Sequence, residues 1–326
     1  MNDDQIDYEL ARQIQMVLVL HFLEGMRQSE IATRLNLSTS KVNRLIAQGR
    51  RMGMVQIHIS SPWQRLTDLE QRIVAVSSLK SAVVCPTLSE KPDTLLGEVG
   101  RAAATLLLEN LRDGDVLAIT GGKAISAVVE KLAPERALDV TVVPLTGGVQ
   151  GKYYTDVNHL VSRMAEKLGG RAMLVHAPLL AENPTQREML CGMHPVKEVF
   201  DLARGADVVV AGIGSIAPKG SSYYDLAPLS EAEGQMLVNL GIAAEFMAYL
   251  IGRSGSVADF AQNARLVAVH PSELATCRQV IGVATGLHKI DPIRAVLRGG
   301  FIDTLVIDER TVETIITTLE GERHVA

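Results

Sequence analysis

Four short stretches place glycine directly after an apolar, strand-like run: Thr120-Gly121-Gly122-Lys123, Thr146-Gly147-Gly148, Gly212-Ile213-Gly214-Ser215 and Thr285-Gly286-Leu287-His288-Lys289. Glycine at a strand's carboxyl end lets backbone N–H groups approach an anion, and the N-terminus of a following helix adds favourable dipole. Lys289 follows such a strand and glycine, where an ammonium either meets a phosphate or caps a solvated loop. Glu245 lies in the apolar stretch Gly241–Met247, which reads as a helix; its carboxylate either faces solvent or binds hydroxyls inside a pocket. None of the glycine stretches matches GxGxxG or a P-loop, so no nucleotide cofactor is expected. The histidines lack HExxH-type spacing and no GxSxG elbow is present, so neither a metal nor a serine nucleophile is expected. The chemistry in view is recognition of a small anion or polyol.

A second constellation lies near the amino end. Six basic residues, Arg27, Arg34, Lys41, Arg44, Arg50 and Arg51, face one acid, Glu30, between Arg27 and Ser60. That stretch carries +5 within a chain of net charge −5, so the remainder carries −10. A basic block in an acidic chain marks a specialised surface. Gln28–Leu35 reads as a short amphipathic helix, Asn36-Leu37-Ser38 as a tight turn, and Thr39–Met52 as a second helix with Val42, Leu45 and Ile46 inward. Ser38 or Thr39 caps that second helix, leaving Ser40, Lys41, Asn43 and Arg44 on its outer face, where a recognition helix reads base edges. Arg50 and Arg51 fall nearer phosphates. Operator DNA is the expected partner of this surface. An earlier helix, about Asp7–Leu23, supports the pair, and Val55–Ile59 alternates like a strand or wing.

The elements that must position these groups follow from the rest of the pattern. Strand-like runs at Ser81–Cys85, Val116–Ile119, Val140–Val143, Met173–Val175, Val208–Ala211, Leu266–Val269, Val280–Val283 and Thr304–Ile307 alternate with amphipathic helices. Such runs indicate a parallel sheet covered on both faces. Ser60-Ser61-Pro62 reads as a hinge, giving a DNA-binding domain over residues 1–60 and an effector-binding and oligomerisation domain over 61–326. A length of 326 residues suits two domains, and 47% apolar with 21% charged residues is an ordinary globular balance. Three cysteines without a CxxC pair fit a reducing cytosol, and no apolar run reaches the ~18 residues of a membrane span. A cytoplasmic location without membrane contact is expected.

Taken together, the residues resemble the SorC family of sugar-sensing bacterial transcription regulators over nearly the whole chain. The likeness is carried by Gln28–Ser38 and Lys41–Leu45, by Pro144–Gly148, Val199–Asp207, Gly212–Gly214 and Val283–Lys289, and by the ending Ala295–Glu309. The resemblance implies an α/β fold: an N-terminal (winged) helix–turn–helix, then an open, mostly parallel sheet domain similar to sugar-phosphate isomerases and deaminases. It implies effector contacts at Thr120, Gly121, Gly122 and Lys123 on the loop running to Ala124, at Thr146, Gly147 and Gly148, and at Asn158, with Glu245 on sugar hydroxyls. Lys289 and the glycine loops, Gly212 and Gly214 included, would take the phosphate. Ala124 stands where many relatives carry Thr or Ser, and Thr285-Gly286 replaces the commoner Gly-Gly, leaving sugar phosphate and free polyol both open. The family implies dimers or tetramers. A sugar-phosphate isomerase- or deaminase-like enzyme is the alternative reading, and it rests on fold analogy.

Overall fold

The computed structural model describes residues 8–55, 64–149, 156–216 and 231–325. Internal contacts divide the chain into two units, Met1–Pro62 and Trp63–Ala326.

In the first unit α1 (Tyr8–Leu18) runs on through a π-turn (Val19–Leu23), and α2 (Gln28–Leu35) and α3 (Thr39–Arg51) follow. Ile14, Val17, Leu20, Ile31, Val42, Leu45 and Ile46 form its buried centre. Asn36, left-handed at φ 52°, closes α2, and the Leu37 N–H donates to the Ala32 carbonyl. That geometry makes the turn between α2 and α3 tight. Gly49 sets the spacing of α1 and α3, because a Cβ there would lie 2.7 Å from Leu18 Cδ1 and 2.8 Å from Ile14 Cγ2. Of the expected wing only Val55 falls within the described residues, and the expected hinge Ser60-Ser61-Pro62 falls outside them.

The second unit is built on parallel strands in the order β1 (Ser81–Cys85), β9 (Thr304–Asp308), β8 (Gln279–Val283), β5 (Val208–Gly214), β2 (Val116–Ile119), β3 (Thr141–Pro144) and β4 (Arg171–Ala172). In register, Ala118 of β2 faces Val209 of β5, which faces Val280 of β8. Successive strand residues point to opposite faces. Leu117 and Ile119 therefore enter a core with α5 (Pro92–Asn110), α6 (Lys123–Lys131) and α7 (Val157–Leu168). Ala118 enters the core on the other face, with α4 (Gln64–Val76), α9 (His194–Arg204), α11 (Ile290–Gly299) and α12 (Glu309–Val325). Helices α8 (Pro184–Gly192) and α10 (Glu231–Asn239) complete the described helices. The chain leaves β2 toward β3 and β4 on one side and returns to β5 on the other. This reversal opens a crevice at the carboxyl ends of the strands.

Three expected elements differ. Glu245 is not in a helix: Ile242–Phe246 is β6, which pairs antiparallel with β7 (Tyr249–Gly252) and, through Gly214↔Glu245, with the overhanging end of β5. Long-range pairing decides here, since the Asn263 amide holds both the N–H and the carbonyl of Leu250. Leu266–Val269 is extended and buried but joins no strand ladder; its residues form isolated bridges, Ala268 to Thr146 and Leu266 to Leu180. The fourth strand ends at Ala172, ahead of the expected Met173–Val175. No described helix is long and apolar enough to cross a membrane.

Candidate functional site

A cavity of about 570 Å³ occupies the crevice. Thr120, Gly121, Gly122 and Lys123 enter it after β2, Thr146 and Gly147 after β3, Gly212 and Gly214 from β5, Glu245 from β6 and Lys289 after β8. Segments up to 169 residues apart are thus gathered by strand order alone. Two helix starts open onto the space. Gly122, at φ 115°, caps α6, and Gly286, at φ 94°, begins the turn Leu287–Lys289 that leads into α11. Both glycines hold backbone conformations that side-chain-bearing residues rarely adopt.

The charged groups are fixed by internal partners. Lys289 Nζ donates to the Ile213 carbonyl at 2.9 Å. Burial brings its pKa down to about 8; the Glu245 charge opposes this and the Lys123 charge adds to it. Glu245 Oε1 accepts from the Ala248 N–H at 2.6 Å. Burial pushes the Glu245 carboxyl above its usual range, against that hydrogen bond and the Lys289 ammonium. Both partners therefore move toward their neutral forms, so desolvation outweighs their mutual attraction. His288 is pulled down by burial and by the neighbouring charges of Lys289 and Lys123. Gly214 makes room for the Glu245 carboxyl group, since a Cβ there would sit 1.9 Å from Glu245 Oε2.

Asp308, at the end of β9, is a wall residue that sequence reasoning missed. It is 1% exposed and accepts four hydrogen bonds: Oδ1 from the Thr285 hydroxyl (2.8 Å) and Gly286 N–H (2.9 Å), Oδ2 from the Thr311 N–H (3.0 Å) and hydroxyl (2.8 Å). Arg310 and Thr87 line the same cavity, and the Arg310 N–H donates to the Thr87 hydroxyl. The available signal was position: an acid at a strand's carboxyl end faces the crevice. Gly148 and Asn158 are not brought into this space. They line a neighbouring cavity, where Asn158 donates to the Val175 carbonyl (2.8 Å) and accepts its N–H (3.1 Å). Asn158 thereby ties α7 to the segment after β4.

In the first unit Ser38 is the cap of α3, its Oγ accepting the Lys41 N–H at 3.2 Å. Thr39, Ser40, Asn43, Arg44 and Arg51 are exposed and Lys41 is partly so. Arg50 lies over the Phe22 ring, 5.4 Å from its centroid, a cation–π placement that keeps it against α1's continuation. The helix carries four basic residues and no acid.

A capped basic helix after a tight turn, on one chain with a cavity at the topological switch of an open α/β sheet, defines a ligand-responsive transcriptional regulator. Comparison with known proteins agrees. The family described as "Putative sugar-binding domain" matches residues 61–317, and region 4 of sigma-70 matches residues 9–52. The erythritol catabolism regulatory protein EryD of Brucella abortus (strain 2308) is 30% identical over 305 residues, 93% of this chain and 96% of that protein. The sorbitol operon regulator of Klebsiella pneumoniae is 28% identical, covering 94% of this chain and 98% of its own. The crystal structure of full-length SorC from Klebsiella pneumoniae superposes with a TM-score of 0.72 at 26% identity, covering 95% of this chain and all of that one. The chain belongs to the SorC family of sugar-binding transcriptional regulators.

Proposed function

We propose that this regulator binds operator DNA through Ser38–Arg44, with Arg50 and Arg51 near phosphates, and that a sugar phosphate or polyol held in the 570 Å³ cavity controls the affinity. The DNA-binding domain spans residues 1–60 and the effector domain 61–326. Lys289, Lys123 and the α6 N-terminus take the phosphate, and Glu245 takes hydroxyls. The placement of Lys289 and Glu245 in one cavity beside two glycine-capped helix starts carries this reading. Two relatives are named for polyols, erythritol and sorbitol, which supports a polyol-derived effector. The protein works in the cytoplasm as a dimer or tetramer, because two half-sites one helical turn apart call for a symmetric assembly. In this reading the protein senses its ligand rather than converting it, with Glu245, held by the Ala248 N–H, and Lys289, held by the Ile213 carbonyl, serving as binding groups.

A thermal-shift screen of sugar phosphates against their polyols tests the site, because a ligand at 100 times its Kd adds about 2.7 kcal/mol. The expected hit also changes operator affinity and is recovered chemically unchanged. A ligand that stabilises the protein but leaves operator binding untouched, or is consumed, counts against the assignment.

A further inference from the structure

Asp308 joins two parts of the fold through one carboxyl group. Its Oδ1 holds the cavity loop, by the Thr285 hydroxyl and Gly286 N–H; its Oδ2 holds the first turn of α12, by the N–H and hydroxyl of Thr311. Beyond this joint α12 extends 17 residues, about 25 Å. Along it, Glu309 and Glu313 meet Arg65 at 3.3 and 2.5 Å, and Glu320 meets Arg72 at 2.9 Å, both arginines standing on α4. Beneath the ion pairs, Leu69 and Ile73 of α4 share a core with Val312, Ile315 and Ile316 of α12. Helix α4 is the first element after residues 56–63, the stretch through which the chain arrives from the helix–turn–helix unit.

We propose that α12 is the coupling element of this regulator: it carries the position of the cavity loop Thr285–Lys289 through Asp308 to α4, and so to the chain leading to the DNA-binding unit. The proposal rests on the reading of the cavity as the effector site. A ligand that touches Gly286–Lys289 shifts an equilibrium only if the loop has two positions of different affinity. A close-packed helix moves as a body, and the capped end of α12 already meets Arg65 at the start of α4 through Glu309 and Glu313.

The test uses the full chain without ligand, so that the effector's identity does not enter it. In Arg65→Ala/Arg72→Ala, both exposed positions outside the cavity lining, amides of Thr285–Lys289 exchange with deuterium about twofold to fivefold faster than in the parent. Peptides of α7, across the sheet, stay unchanged, which excludes general loosening. In Asp308→Asn the perturbation travels the other way, speeding exchange in α4. Ligand-free operator affinity of the double arginine variant moves by a comparable factor. Faster exchange confined to the mutated end in both variants would overturn the proposal. So would an operator affinity that stays fixed while the loop responds, since α12 would then be structural only. A cavity that binds no sugar phosphate shows up separately, in the thermal-shift screen, without altering the exchange result.

Discussion

Lys289→Met should make the ligand-free protein more stable while removing its preference for a phosphorylated ligand. The unbranched stem is kept and the ammonium removed. Burial lowers the Lys289 pKa from 10.5 to about 8. Below pH 8 the folded and unfolded chains both hold the proton, so the penalty for the buried charge, on the order of 3 kcal/mol, is fully present. Between about pH 8 and 10.5 the unfolded chain binds more protons than the folded one, and stability rises with pH through that window. Losing the hydrogen bond to the Ile213 carbonyl takes back about 1 kcal/mol. A net gain of about 2 kcal/mol, or roughly 4–8 °C in Tm, is expected at neutral pH, shrinking as pH approaches 10. Calorimetric melts of both proteins across that range measure it. Isothermal titration with a sugar phosphate should show about tenfold to hundredfold weaker binding, against little change for the free polyol. A melting temperature that falls at neutral pH, or runs parallel to the parent across the whole range, refutes the reasoning, because Lys289 would then stabilise the fold.

Arg44→Ala and Asn43→Ala should each weaken operator binding by about 1–3 kcal/mol, whereas Arg51→Ala should weaken specific and non-specific DNA alike and lower the salt slope by about one. Mobility shifts on operator and scrambled duplex at several salt concentrations separate the two roles. Gly49→Val should unsettle the first unit by about 1–3 kcal/mol, since its Cβ would fall 2.7 Å from Leu18 Cδ1. DNA binding then drops while the ligand-induced thermal shift is retained; loss of both would couple the units more tightly than the contact division implies. Removal of Met1–Ser61 should leave a folded fragment that binds ligand and not DNA, and an insoluble or molten fragment, read by near-UV circular dichroism, would contradict that boundary.

The parallel core was legible because its signal is local. Val208–Val210, Val280–Val283 and Leu305–Ile307 are buried on both faces, and such strands read as unbroken apolar runs. The strand-end glycines were legible for a related reason, since topology sends every carboxyl end of a doubly wound sheet to one rim. Ten of the twelve expected effector residues line one cavity accordingly. Asn158 was named from family likeness, and its two hydrogen bonds to Val175 carry it elsewhere.

What escaped sequence reading has a common physical cause: the deciding partner is distant in the chain. Gly241–Met247 is a short apolar stretch that reads as a helix by itself, and its β-hairpin is selected by Asn263 and by the pairing with Gly214. Leu266–Val269 has the composition of a buried strand, yet its N–H and carbonyl groups bond to Leu145, Gly147 and Leu179 in loops at the rim. Apolar composition specifies an extended buried segment; only the available partners decide whether it joins a ladder. Asp308 makes the same point for the site. An acid after Val306-Ile307 reads as an ordinary helix cap, which it is for Thr311. Its second oxygen is committed to Gly286, more than twenty residues earlier, and through that bond a local capping residue becomes part of the ligand-binding wall.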